Sequence, residues 1–201
     1  MKGSSFHDCK SFCINAENTI DLKITNNVFY NARVFHTKVL STNPFKFENN
    51  LMIAVTKRPT TSIKELISCF GYWEPLHERD VSIKNNLCQG SDLHGFAFPK
   101  LPCEYLSNPP YSENTVGSSN TAFIFSGVGG HECLGVTNVK AYASQIAQIS
   151  SFAGPDTMIY ENYMVADCGR GASLRFGGEG HDKTAELRNA FITAISRPTC
   201  T

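Results

Sequence analysis

Asp167 and Arg170 are the pair in this sequence with the clearest chemical potential. They follow the apolar run Met164-Val165-Ala166 by a few residues, so a strand would end just where they begin. Glycoside cleavage needs two carboxylates roughly 5 to 10 Å apart, and no acidic partner stacked on Asp167 from a neighbouring coil is visible. The plainer expectation is an Asp167–Arg170 ion pair, a structural rather than catalytic role. Ser91, Asp92 and His94 contain the side-chain types of a nucleophilic triad. They are nearly consecutive, however, and no G-x-S-x-G elbow surrounds them. A turn in which Ser91 or Asp92 bonds to backbone amides is the expectation there.

His131, Glu132, His181 and Asp182 could ligate a metal, but they lack the i, i+4 histidine spacing and a third ligand nearby. They read as solvated loops, with neither metal nor cofactor expected. The glycine runs at 127–130 and 177–180 lack the G-K-[ST] continuation of a phosphate cradle. Tyr72 and Trp73, beside Cys69 and Phe70, could stack on a sugar ring, but a cluster capping the core is the simpler reading.

The eight cysteines (Cys9, Cys13, Cys69, Cys88, Cys103, Cys133, Cys168 and Cys200) contain no C-x-x-C pair. An even and high count favours disulfides formed in an oxidising compartment, over free buried thiols or a metal site. The N-terminal run MKGSSFHDCKSFC has no apolar signal-peptide core. An oxidised chain without one suggests a segment of a longer secreted or membrane-anchored protein. Lys plus Arg number 18 and Asp plus Glu number 18, a formal charge of zero. A nucleic-acid binder needs a basic surface, so that class is disfavoured. The longest clean apolar run, Leu51 to Val55, is far short of the ~20 residues a membrane helix requires. No N-x-[ST] sequon is present.

The elements that would position these residues emerge from a repeat. The pattern apolar-x-Asn-x-apolar occurs around Asn26, Asn49, Asn85, Asn162 and Asn189, with weaker copies at Asn114 and Asn138. The intervals are 23, 36, 29, 24, 24 and 27 residues. Alternating residues precede each asparagine, as in Ile20-Asp21-Leu22-Lys23-Ile24, and a second short strand follows, as in Gly95–Phe98 and Ala122–Phe125. Such spacing predicts an all-β fold, a right-handed parallel β-helix of about six to seven coils. Asparagine suits its corners because it tolerates the left-handed backbone and its amide can bond to a copy about 4.8 Å away along the axis. The residues flanking each asparagine, Ile24, Ile83 and Leu187 among them, should be buried. Residues 1–17 read as an N-terminal lead-in or cap and 18–201 as the solenoid. Insertions are expected at about 56–80, with a short helix over Ser62 to Phe70, and at about 99–112, where proline is frequent. One coil from Asp167 lie Ala143 and Ala194, so no stacked acid is expected.

Three stretches, IDLKITNNVFYNARVF, VSIKNNLCQGSDLHGFAFPKLPCEY and IYENYMVADCGRGASLRFGG, make the chain resemble the fibrocystin-like (polyductin-like) family. The most specific piece runs from Asn85 to Cys103. There Asn85, Asn86, Gly90, Ser91, Gly95, Phe96, Pro102 and Cys103 fit the family's NN-x-x-x-GS-x-x-x-GF-x-x-x-x-x-PC segment. Cys133, Asp167, Gly171 and Ser196 extend the likeness, which spans roughly 18–200. The resemblance implies large receptor-like surface proteins with G8 domains and parallel β-helix (PbH1) repeats, in some relatives at cilia; the G8 module itself is not visible here. It also suggests a Cys103–Cys133 disulfide, because Cys103 ends the family-like segment and Cys133 begins the next frame. The function so implied is a non-catalytic structural or interaction segment of an extracellular or cell-surface protein. Its partners would be neighbouring domains of the same chain, other surface proteins and glycans. The rival expectation is a carbohydrate-binding or hyaluronidase-like, polysaccharide-degrading domain.

Overall fold

The computed structural model describes residues 1–40, 44–56, 67–72, 81–99, 101–126, 132–150, 157–171 and 184–193. The strands in chain order are β1 (Ser5–Cys9), β2 (Phe12–Glu17), β3 (Leu22–Thr25), β4 (Val28–Ala32), β5 (Phe35–Leu40), β6 (Phe45–Glu48) and β7 (Leu51–Val55). They continue with β8 (Ser68–Tyr72), β9 (Val81–Lys84), β10 (Leu87–Pro99), β11 (Leu101–Pro102), β12 (Tyr111–Ser112) and β13 (Thr115–Ser126). The last are β14 (Glu132–Thr137), β15 (Lys140–Tyr142), β16 (Ile146–Ser150), β17 (Thr157–Glu161), β18 (Met164–Ala166), β19 (Thr184–Arg188) and β20 (Phe191–Ile192). Helix among the described residues is confined to one 3-10 turn, Cys103–Tyr105.

The strands stack into three faces of a parallel β-solenoid. The first face is the ladder β1-β4-β7-β10-β13-β15-β18-β20. The second is β2-β5-β8-β10-β13-β16, and the third is β3-β6-β9-β12-β14-β17-β19. β10 and β13 each serve two faces, bending where the register shifts between Ser91 and His94. Among the described residues only β11 is antiparallel, against β14. The asparagine repeat thus marks true coils.

Two corners flank the first face, and both need a left-handed backbone. At one corner stand Gly3, Asn26, Asn49, Asn85, Glu113, Asn138, Asn162 and Asn189, all at positive φ. At the other stand Asp8, Asn31, Ala54, Gly90, Ser118, Ala143 and Asp167, also at positive φ. The second member follows the first by five residues in each of these coils. Asparagine and glycine adopt this conformation at low cost, which is why they dominate the first corner.

Inside, like residues stack on like. Ile24, Phe47, Ile83 and Tyr111 form one row of the third face, all fully buried. Phe70, Phe96 and Phe123 stack across the second face, with ring centroids 6.2 and 5.9 Å apart. Each fully buried phenylalanine contributes about 2 to 3 kcal/mol of transfer free energy. The Ile24 row continues to Leu187, which is 47% exposed rather than buried as expected. β19 is the last rung of its ladder among the described residues, so no described strand stacks on its far side.

Several sequence boundaries shift. Residues 1–17 are not a separate lead-in: β1 and β2 pair with β4 and β5 as full solenoid strands. The insertion expected over 56–80 contains β8, a member of the second face, so Ser68 to Phe70 form strand where a helix was expected. Residues 57–66 and 73–80, Trp73 included, lie outside the described residues. The insertion expected over 99–112 returns to the solenoid at β12. In between, Leu106 and Pro109 fold over Gly135 of β14, where a β-carbon would meet Pro109 Cβ at 3.2 Å.

Candidate functional site

Asp167 is exposed and occupies the second corner, with φ of 61°. Its counterpart one coil earlier is Ala143, as the repeat led one to expect; Ala194 lies outside the described residues. No ion pair joins Asp167 to Arg170 among the described residues, which corrects the expected pairing. Arg170 is held through its backbone: its N–H donates to Gln145 O at 3.0 Å and its carbonyl accepts from Ala147 N at 2.8 Å. The corner at Asp167 is a backbone requirement, and Arg170 already belongs to the next ladder.

Ser91, Asp92 and His94 sit where β10 bends from the first face to the second. Ser91 Oγ donates to His94 O at 2.6 Å, so the hydroxyl braces the bend rather than capping backbone amides. Ser91 heads a row of small polar side chains, with Ser119 and Ser144 below it. The Ser119 and Ser144 hydroxyls lie 3.1 Å apart, and Ser144 Oγ donates to Tyr142 O at 3.2 Å. Cys168 continues that row one coil on and copies the last contact, its thiol donating to Ala166 O at 3.4 Å. The buried Cys168 side chain therefore takes a serine's place in a structural ladder.

Among the described residues three disulfides are present: Cys9–Cys13, Cys69–Cys88 and Cys103–Cys133. Cys69–Cys88 joins β8 to β10, and so the second face to the first, inside the solenoid. Cys103–Cys133 ties the excursion after β10 to β14, beside the antiparallel Leu101–Cys133 pairing. Cys200, His131, His181 and Asp182 lie outside the described residues, and the side chains of Tyr72 and Glu132 are not described. Among the described residues no group of acidic, histidine or cysteine side chains could hold a metal ion. No helix of the described residues is long and apolar enough to cross a membrane.

The asparagines separate into two ladders, only one of which the repeat anticipated. The exposed corner ladder includes Asn85 Nδ2 donating to Asn49 Oδ1 at 2.7 Å, and Asn162 Nδ2 to Asn138 Oδ1 at 2.8 Å. Asn189 Nδ2 donates to Asn162 Oδ1 at 3.3 Å. Asn114 does not belong here; Glu113 takes the corner in that coil. Asn114 ends a second, buried ladder formed by Asn27, Asn50, Asn86 and Asn114. In it Asn27 Nδ2 donates to Asn50 Oδ1, Asn50 Nδ2 to Asn86 Oδ1 and Asn86 Nδ2 to Asn114 Oδ1, at 3.1, 3.0 and 3.0 Å. Each acceptor also takes the preceding asparagine's backbone N–H. The second amide protons of Asn50 and Asn86, and one of Asn114, go to Ile24 O, Phe47 O and Ile83 O. Asn50 and Asn86 are thereby fully satisfied, as a buried amide must be. The signal was in the sequence as the doublets Asn26-Asn27, Asn49-Asn50 and Asn85-Asn86.

One histidine, His36, was missed, and His94 was read only as part of a turn. His36 is fully buried, neither ring nitrogen has a hydrogen-bond partner, and burial pushes its pKa down to about 3 against a weaker opposing pull from the Ile53 backbone. Burial likewise lowers His94 to about 4, with its Nδ1 unpartnered. Both imidazoles are neutral in the folded protein and serve as packing groups.

The outer side of the first face differs from that of the third. The third carries Lys23, Lys46, Glu48, Lys84, Glu161, Glu186 and Arg188. The first presents two rows, one running from Val28 through Leu51 and Leu87 to Met164 and Phe191, the other from Tyr30 through Ile53 and Gln89 to Tyr142. Tyr30 and Tyr142 are 50% and 37% exposed. Tyr142 OH donates to Gln89 Oε1 at 2.6 Å, two coils away, and its ring covers buried Gly117 between them. A search of protein-family models, of curated proteins and of solved structures finds no match for this chain.

Proposed function

We propose that this chain is a non-catalytic structural and interaction segment of a large extracellular or cell-surface β-solenoid protein, of the kind the fibrocystin-like resemblance implies, with the ciliary membrane among its settings. The observation that carries the reading is the regular fixation of successive coils. Two rows of corners stay five residues apart, and the buried amide ladder clamps four consecutive coils. A wall held this way presents outer side chains at a fixed pitch, which suits spacing and recognition. Three disulfides support an oxidising compartment. The partners are neighbouring domains of the same chain, other surface or extracellular proteins, and glycans. A formal charge of zero argues against nucleic acid.

The test has two arms. Surface biotinylation of intact cells expressing the full-length protein labels this segment. Incubation of the purified chain with hyaluronan and other polysaccharides leaves their size distribution unchanged. Depolymerisation that disappears in Asp167→Asn overturns the reading in favour of a polysaccharide-degrading domain, and labelling only after permeabilisation removes the surface assignment.

A further inference from the structure

Resting on the interaction-segment reading, we infer that the outer side of the first face binds an extended, uncharged polysaccharide lying along the solenoid axis, with Tyr142 as a stacking platform. The platform is built in advance. Gly117 lacks the β-carbon that would otherwise clash with the Tyr142 ring, so the ring lies against the sheet over it. The hydrogen bond from Tyr142 OH to Gln89 Oε1, 2.6 Å long, holds the ring there, and Gln89 Nε2 is itself fixed on Ser118 Oγ at 3.0 Å. Tyr142 stays 37% exposed. A tyrosine tethered at its hydroxyl loses little conformational entropy when a ligand stacks on it.

The surroundings select the ligand class. The row carrying Tyr30 and Tyr142 and the neighbouring row that starts at Val28 contain one charged residue beyond the first coil, Lys140. Both borders are polar: Asn49, Asn85, Glu113 and Asn138 stand exposed along one corner, and half-buried Asn31 with exposed Ser118 and Asp167 along the other. An apolar strip between polar rails whose charged members are acids matches an uncharged sugar polymer, whose C–H faces are apolar and whose hydroxyls line its edges, better than an anionic one. Rungs repeat at about 4.8 Å, close to the length of one pyranose unit, so each sugar along the axis meets an equivalent rung. A single-stranded nucleic acid also stacks on tyrosine, but it needs a basic groove that this strip lacks.

Affinity electrophoresis of the full chain tests this, in gels containing hydroxyethyl cellulose, mannan, xylan or hyaluronan. At least one neutral polymer retards the protein. Tyr142→Ala weakens that binding roughly tenfold or more, Tyr142→Phe keeps most of it, and Gln89→Ala falls between, each with an unchanged circular dichroism spectrum. The inference fails if no neutral polymer retards the protein, if hyaluronan retards it more strongly than the neutral polymers, or if Tyr142→Ala binds like the parent. A protein ligand that Tyr142→Ala releases, without any glycan binding, also defeats it while leaving the interaction-segment reading standing. Depolymerisation of the polymers instead sinks that reading.

Discussion

Asn86 and Asn114 are 28 residues apart in sequence and joined by a buried 3.0 Å amide–amide hydrogen bond. The bond belongs to a chain in which every acceptor serves two donors, so one deletion orphans several groups. In Asn86→Ala, the Asn50 backbone N–H and one Asn50 amide proton lose their acceptor, and Phe47 O loses a donor. Each orphaned buried group costs about 1 to 3 kcal/mol, so the substitution should destabilise by about 3 kcal/mol or more. Asn85→Ala removes the exposed neighbour and should cost about 1 kcal/mol. Denaturant midpoints of the two variants check the contrast, and equal losses would refute the buried ladder.

Ile83 and Leu187 lie in one stacked row but differ in environment, Ile83 being fully buried and Leu187 47% exposed. Ile83→Asp places an unpaired charge inside the solenoid and should cost several kcal/mol. Leu187→Asp should stay within about 1 kcal/mol of the parent. Thermal melts of both variants decide the matter.

Acid should destabilise the fold through His36 and His94. Their folded pKa values of about 3 and about 4 lie below the ordinary 6.5. The unfolded chain therefore binds more protons, and stability is intact above the unfolded pKa and falls as pH drops toward the folded values. Between about pH 7.5 and about pH 5 the two sites together should remove on the order of 4 kcal/mol. Replacing His36 by Leu should roughly halve that slope, as urea titrations across the range would show. A slope unchanged by the substitution would mean that His36 ionises freely in the folded protein.

Cys168→Ser should leave stability within about 1 kcal/mol of the parent, because the position belongs to a serine row and either side chain donates to the same carbonyl. By contrast, the Cys103→Ser/Cys133→Ser double variant opens a loop of 30 residues. Chain-entropy arguments give about 3 to 4 kcal/mol for such a closure. Peptide mapping without reduction should recover Cys103 with Cys133 and Cys69 with Cys88. Separate alkylated peptides for these four would reject the pairings.

The coil repeat was legible because asparagine does two jobs at once, tolerating the left-handed corner and pairing with its copy, so one residue type recurs. The second corner was not legible. It demands only a backbone conformation, and Asp, Asn, Ala, Gly and Ser each supply it in turn. Asn114 was placed one residue out of register because its coil has Glu113 at the corner and thus one asparagine instead of two. The strip on the first face was hidden for a related reason. Val28-Phe29-Tyr30 and Leu51-Met52-Ile53 are apolar on both sides of the strand, so alternation does not separate core from surface. His36 gave no signal, since nothing in a sequence distinguishes a histidine packed as an apolar ring from one in solvent.

The arc between the two corners is five residues long from Gly3–Asp8 to Asn162–Asp167, whereas the return path varies from 18 residues, Asp8 to Asn26, to 31, Ala54 to Asn85. Duplication, insertion and deletion can therefore remodel two sides of this protein without disturbing the third. Homologous chains should differ from this one in length along the return paths alone. Across the short arc an alignment should need no gaps, even where its side chains have diverged beyond recognition. A foreign peptide spliced into a return path should be carried as a side branch, while a single residue added within the short arc would throw every later rung out of register.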